Sequence, residues 1–272
     1  MKNDFKLLEG LREAAGTELF GVADACAYGE KAPPGHRPGD YLEGARSIVL
    51  LGTRMLDLPL DGLPGTRKEY TVNFHVANTG LNQALFDAAG YLQGKGHKVF
   101  PVPYLEMPGW NLDKRPAWAL KLLRHLATIP RVHDLLNARV LWENLSYRHM
   151  AVEAGMGEIG RNGLLLTPEH GARVRLVALL TDAELPAGKP LAPSLCGPER
   201  CGYACVKACP AGAISREGQG TDKAACLRYY IKLGLPGMNG LRCGMCVAAC
   251  PVHRPRFRGA GTDRKKADPG ST

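Results

Sequence analysis

The sequence has no apolar run approaching the ~18 residues of a membrane-spanning helix. Its longest apolar stretches, around Ile48–Leu51 and Val177–Leu180, are strand-sized. No secretory signal opens it, because MKNDFKLLEGLREAAG is charged throughout and spaced like an amphipathic helix on Phe5, Leu8 and Leu11. It lacks the composition of a disordered or fibrous chain: 45% of its 272 residues are hydrophobic and 22% are charged. At this length about three quarters of the unfolded surface can be buried, so stability needs no covalent staples. Cysteine is nearly absent from the first 195 residues, where Cys26 stands alone. These absences imply a cytoplasmic protein outside the membrane, in which clustered cysteines are read as metal ligands or redox groups and not as disulfides.

What is present is concentrated near the end. Eight cysteines form two groups: Cys196-x4-Cys201-x3-Cys205-x3-Cys209-Pro210, then Cys226, then Cys243-x2-Cys246-x3-Cys250-Pro251. Each group closes on Cys-x3-Cys-Pro, where proline prevents the loop from continuing as a helix. In ferredoxin-type sequences the closely spaced cysteines wrap one cubane and the cysteine before proline reaches across to the other. That logic gives one [4Fe-4S] cluster to Cys196, Cys201, Cys205 and Cys250, and a second to Cys209, Cys226, Cys243 and Cys246. The bland alternative is a pair of structural zinc sites, although zinc ribbons use Cys-x2-Cys pairs and need no Cys-x3-Cys-Pro endings. The x4 and x3 spacings that follow Cys196 are looser than the usual x2. Cys26, in GVADACAYG, is expected to be a small buried apolar side chain and not a ligand.

Before the cysteines, Leu185 to Leu195 (LPAGKPLAPSL) has three prolines and no apolar periodicity, and reads as a linker. It divides the chain into residues 1–190, residues 191–254 and a basic flexible tail, 255–272. The net charge is +9, and His253 to Thr272 supplies six cations and two anions of it, a net +4. In the first part, Glu18–Asp24, Ser47–Gly52 and Lys98–Val102 read as short buried strands. His75 to Lys95 reads as an amphipathic helix on Leu81, Leu85, Ala88 and Leu92, and Pro116 can open another. Strands alternating with helices indicate α/β or α+β architecture.

Gly155-x-Gly157-x-x-Gly160 matches the dinucleotide fingerprint in letters only. Tyr147 to Ala154 is helical in pattern and Leu164 to Thr167 strand-like, the reverse of the order such a site requires. Three glycines between a helix and a strand supply either bare backbone for a large flat ligand or a tight connection with no ligand.

Taken together, GHRPGDYLEGARSIVLLG (35–52), AGMGEIGRNGLLLTPEHG (154–171), LLTD (179–182) and the run from CVKACPAGAI to CGMCVAACP (205–251) resemble the epoxyqueuosine reductase family, and more distantly the corrinoid reductive dehalogenases. The resemblance implies an α+β protein: a nitroreductase-like α/β domain holding cobalamin, then a ferredoxin-like domain with two [4Fe-4S] clusters. Electrons would pass through the clusters to cobalamin, which reduces a substrate the sequence does not identify. The implied partners are a reduced ferredoxin or flavodoxin-type electron donor and a small-molecule substrate or redox protein. Gly155, Gly157, Gly160, Arg161 and Asn162 would line the corrin, Arg161 as a forked donor and Asn162 as donor and acceptor.

Two departures stand out. The family's Arg-Asp-Tyr-His segment supplies an acid, whereas Val72-Asn73-Phe74-His75 places an amide there, so Asn73 can contact a cofactor but cannot deliver a proton as a carboxylic acid does. Tyr70 or His75 is the candidate proton donor instead, His75 being better matched near neutral pH. The family's C-terminal helical-repeat domain has no counterpart in the short tail, which makes action on tRNA doubtful, although the tail's charge leaves weak RNA contact open. The rival to a cobalamin-dependent enzyme is a non-enzymatic electron carrier without corrinoid.

Overall fold

The computed structural model describes residues 2–104, 145–192, 195–233 and 241–254. The helix anticipated from Pro116 and the basic tail, 255–272, lie outside the described residues.

A four-stranded sheet forms the centre, in the order β1 (Leu19–Asp24), β2 (Ser47–Arg54), β6 (Val174–Thr181), β3 (Val99–Val102), with every pairing antiparallel. The two central strands are apolar without interruption because both faces are covered, and side chains alternate between those faces with period two. Val49, Leu51, Val177 and Leu179 meet α1 (Lys2–Ala15) and α4 (Arg67–Gly94) through Leu11, Leu81, Leu85 and Leu92. Ile48, Leu50, Leu176, Ala178 and Leu180 meet the other layer, which includes Tyr28 on α2 (Ala25–Lys31) and Met150 and Ala151 on α5 (Tyr147–Glu153). The result is a mixed α/β arrangement of three layers. Each fully buried leucine contributes about 1.5–3 kcal/mol.

The helix expected from His75 begins earlier, at Arg67, so Tyr70, Asn73 and His75 are residues of its first three turns. Val72 and Val76 are exposed at 60% and 65%, out of phase with the buried stripe, and that blurs the period in the sequence. Cys26 is also placed differently from its expectation: it is exposed. Asp24 caps α2 by accepting from the Ala27 amide at 2.8 Å, and the buried face of that helix carries Ala25 and Tyr28. The next position therefore faces water.

Leu185 to Leu195 lies against the sheet layer at several points. Leu185 and Leu195 are buried, and the Gly188 amide donates to the Val22 carbonyl at 2.8 Å. The cysteine-bearing stretch contributes α6 (Ala204–Ala208), α7 (Lys223–Leu233) and α8 (Met245–Ala249), and a 3-10 turn, Pro251–His253. It docks on two apolar clusters. One joins Leu166, Ala172 and Leu195 to Cys250 and Val252; the other joins Met55, Leu60, Tyr70 and Phe74 to Val247 and Ala248. Between α5 and β6 lies a two-stranded ribbon, β4 (Glu158–Ile159) with β5 (Leu165–Leu166). Among the described residues no helix is long and apolar enough to cross a membrane.

Candidate redox centre

α6 and α8 are built alike. Each is a single turn entered through a left-handed residue, Tyr203 at φ 57° and Gly244 at φ 63°, and each ends on an extended cysteine, Cys209 or Cys250, followed by proline. The left-handed entry tucks Cys205 and Cys246 inward in the first turn, and the extended exit swings Cys209 and Cys250 away from their own turn.

The cysteines gather accordingly. Cys196, Cys201, Cys205 and Cys250 line one surface recess, bounded by Leu166 and Val252. Cys209, Cys226, Cys243 and Cys246 form a second group of electrostatic neighbours, and Cys246 also feels Cys205 of the first. Burial pushes the Cys246 thiol up to about 12, with the charges of Cys226, Cys243, Cys209 and Cys205 adding to it. Burial likewise lifts Cys250 to about 11, reinforced by Cys205, Cys196 and Cys201. Cys226 is exposed as a residue, yet desolvation of its sulfur still raises its pKa. Burial disfavours ionisation of Cys196, Cys205, Cys226, Cys246 and Cys250, which makes these five poor free nucleophiles; a cationic centre would reverse the penalty by binding the thiolates.

Two backbone amides aim at sulfur: Arg161 N–H donates to Cys196 Sγ at 3.2 Å and Ala213 N–H to Cys209 Sγ at 3.3 Å. Such bonds favour thiolate, and in iron–sulfur proteins they tune the reduction potential. Buried Glu158 fixes the loop by accepting from the Cys196 amide at 2.6 Å. Among the described residues no three His, Cys, Asp or Glu side chains converge closely enough to hold a single metal ion. Four thiolates around one zinc stand about 3.8 Å apart at the usual Zn–S length.

The glycine block faces these cysteines. Gly155 has φ 72°, and a side chain at Gly155 or Gly157 would strike the backbone carbonyl of Lys189 or Leu166; at Gly160 it would come within 2.8 Å of Leu166 Cδ1. The space left by the missing side chains is taken by the chain itself. Arg161 donates from its guanidinium to the Gly218 carbonyl, and buried Asn162 donates to the Cys246 carbonyl at 3.4 Å while accepting from the Leu164 amide at 3.3 Å. The block thus clamps the cysteine stretch onto the sheet layer, and none of its five candidates offers the bare surface a corrin would need.

On α4, Asn73 is engaged by one neighbour. Its Oδ1 accepts from the Leu56 amide at 3.3 Å and its Nδ2 donates to the Leu56 carbonyl at 3.2 Å, a pairing an ionised acid could not complete. Tyr70 is buried, and burial pushes its phenol up to about 12, so it persists as a hydrogen-bond donor. Its ring lies against Gly244, inside the Cys243-Gly244-Met245-Cys246 turn: a Cβ on that glycine would stand 2.6 Å from Tyr70 Cζ. His75 is half-buried beside Phe74. The spacing of residues did not reveal that Phe74 is flanked by two guanidiniums, Arg175 at 4.2 Å and Arg242 at 4.4 Å from its centroid.

Gly244→Ala is therefore expected to destabilise the protein by about 1–3 kcal/mol through the left-handed backbone alone, before the Tyr70 contact adds to it. Thermal melts should record the loss, and a variant melting like wild type would contradict the packing described.

No protein-family model matches the chain. An epoxyqueuosine reductase from Synechococcus sp. strain RCC307 is 40% identical over 109 residues, 37% of this chain and 32% of that protein. Over these residues the chain is similar to the epoxyqueuosine reductases. A tetrachloroethene reductive dehalogenase from Desulfitobacterium hafniense is 36% identical over 115 residues, 37% of this chain and 21% of that protein. The matched stretches span a third or less of these two curated relatives. The fold agrees with that kinship: a crystal structure of selenomethionine-labelled epoxyqueuosine reductase superposes at a TM-score of 0.57 with 18% identity, over 94% of this chain and 69% of the other.

Proposed function

We propose that this epoxyqueuosine reductase-like chain is an iron–sulfur oxidoreductase with two [4Fe-4S] clusters, one held by Cys196, Cys201, Cys205 and Cys250 and the other by Cys209, Cys226, Cys243 and Cys246. The observation that carries the reading is the exchange of cysteines between two separated stretches, which builds two adjoining quartets from interleaved ligands. Residues 1–190 form the proposed nitroreductase-like substrate part and residues 191–254 the proposed ferredoxin-like part. Bound clusters would supply single electrons at low potential. Tyr70, Val247 and Ala248 pack beside the Cys243–Cys246 turn of the second quartet, and Glu158 and Arg161 hold the first quartet's loop. The acceptor side is the face of α4 carrying Tyr70 and Phe74, because it adjoins the second quartet; His75 stands further round the same helix.

Cobalamin is the acceptor suggested by kinship, since one structural relative is described as a B12-dependent dehalogenase. The glycine block does not fit that role, so no step through a corrin is derived. A second reading, an electron carrier without corrinoid, is favoured by the same filled block and by the engagement of Asn73 with Leu56. Anaerobically purified protein is expected to carry about eight irons and eight acid-labile sulfides, two cubanes' worth. Stoichiometric zinc without iron would overturn the proposal. Titration with cob(II)alamin separates the two readings: a shift to a base-off spectrum supports the cobalamin enzyme, and an unchanged spectrum supports the carrier.

A further inference from the structure

Tyr203 is the one residue other than glycine with positive φ among the described residues, at φ 57° and ψ 40°. At the matching entry to α8 the chain uses glycine, where Tyr70 leaves no room for a side chain. Tyr203 instead stands at the surface, on the rim of the first quartet, and holds an aromatic ring where glycine would relieve strain of order 1 kcal/mol. Strain kept at a surface position asks for a use of the side chain.

The ring is surrounded by cations. The Arg216 guanidinium lies 5.1 Å from its centroid, Arg161 and Arg200 line the recess with it, and Lys207 Nζ lies beside Gly202. Glu199 accepts from the Tyr203 hydroxyl at 2.8 Å, which fixes the ring's direction, and Arg161 acts electrostatically on both. Arg200, Lys207 and Arg216 are exposed and Arg161 is half-buried. Four cations and an oriented tyrosine thus frame one of the quartets. Tyrosine and arginine are the side chains that most often anchor protein interfaces, and a cationic rim speeds encounter with an acidic partner.

We infer that the face formed by Tyr203, Arg161, Arg200, Lys207 and Arg216 is the docking surface for a small acidic redox protein that carries its cofactor at its surface. The inference rests on the iron–sulfur reading, which gives such a partner something to meet there. Charge complementarity selects the partner's sign, and closeness to the Cys196, Cys201, Cys205 and Cys250 recess selects its redox character. Tyr203 is the contact at the centre and the cations steer the approach.

The test uses anaerobically purified protein and a flavodoxin of acidic surface as the probe, with association followed by stopped-flow or biosensor kinetics at several salt concentrations. Wild type should associate more slowly as salt rises. K207E/R216E should lose about tenfold or more in association rate at low salt, and with it most of the salt dependence. Tyr203→Gly should melt no lower than wild type, because the strain is relieved, yet dissociate faster from the probe. Lys6→Glu, on α1, should change neither rate. An unaltered association rate in K207E/R216E, or an equal loss in Lys6→Glu, would overturn the docking surface. Flavodoxin binding too weak to detect, with salt-sensitive retention of an RNA hairpin that K207E/R216E abolishes, would also overturn it in favour of nucleic acid. Iron and sulfide analysis of the same preparations keeps the two claims apart: missing iron defeats the cluster reading, and iron-replete protein with unchanged binding defeats the docking surface alone.

Discussion

Replacing Cys246 with alanine will halve the iron of anaerobically purified protein, from about eight to about four atoms per chain, with sulfide falling in step. Cys246 is the thiol pushed highest by burial, to about 12, and its neighbours Cys226, Cys243 and Cys209 complete one quartet. Cys250 closes a Cys-x2-Cys-x3-Cys run that begins seven residues earlier at Cys243, yet its electrostatic neighbours are Cys205, Cys196 and Cys201, more than forty positions back in the chain. Cys250→Ala should therefore remove the other half of the iron, although it is only four residues from Cys246. Grouping by sequence neighbourhood would instead make Cys246 and Cys250 ligands of one centre. The double variant distinguishes the two arrangements: iron should vanish if the ligands are exchanged, and about half should remain if they are not. Cys26→Ala, on the exposed face of α2, should retain all of it.

The cysteine pattern was legible because ligand spacing is a local signal, and proline after the fourth cysteine of each group marks the point where the chain leaves. The central strands were legible for a related reason: Ile48–Leu51 and Val177–Leu180 are buried on both faces and need no alternation. The glycine block was legible as bare backbone, but its neighbour was not. Whether Gly157 makes room for a ligand or for the Leu166 carbonyl depends on a ribbon whose two strands are only two residues each, too short to carry a pattern. Asn73 posed the same difficulty. The amide was visible as a departure from the acid of the family, whereas its two bonds to Leu56 join residues seventeen apart across a turn. Tyr203 left a fainter trace: it occupies the position before a one-turn helix at which the second group has glycine.

The ion cluster beneath α3 (Asp57–Asp61) left no trace in the sequence, since its members are over a hundred residues apart. The Arg173 side chain is 2% exposed; its two terminal nitrogens donate to Asp57 at 2.6 Å and Asp61 at 2.5 Å, whose side chains are 56% and 47% exposed. The asymmetry decides what mutation does. Removing the acids strands a guanidinium that water cannot reach, whereas removing the guanidinium leaves two acids that water already solvates. Asp57→Ala/Asp61→Ala should cost about 3 kcal/mol or more, a fall in Tm of roughly 6–12 °C for a domain of this size. Arg173→Met, which deletes the buried cation and keeps its volume apolar, should cost clearly less. The same cluster gives a pH signature. The Arg173 hydrogen bond holds the Asp61 carboxyl below the ordinary carboxylate range, with His253 and Arg254 nearby adding to the effect. A depressed folded pKa contributes stability above the unfolded value of about 3.9 and loses it as pH falls through the folded one. The melting gap between wild type and the double alanine variant should therefore be full near neutrality and close below about pH 4. A gap that persists unchanged in acid, or an Arg173→Met protein that melts below the double variant, would show that Arg173 is held by packing and not by its carboxylates.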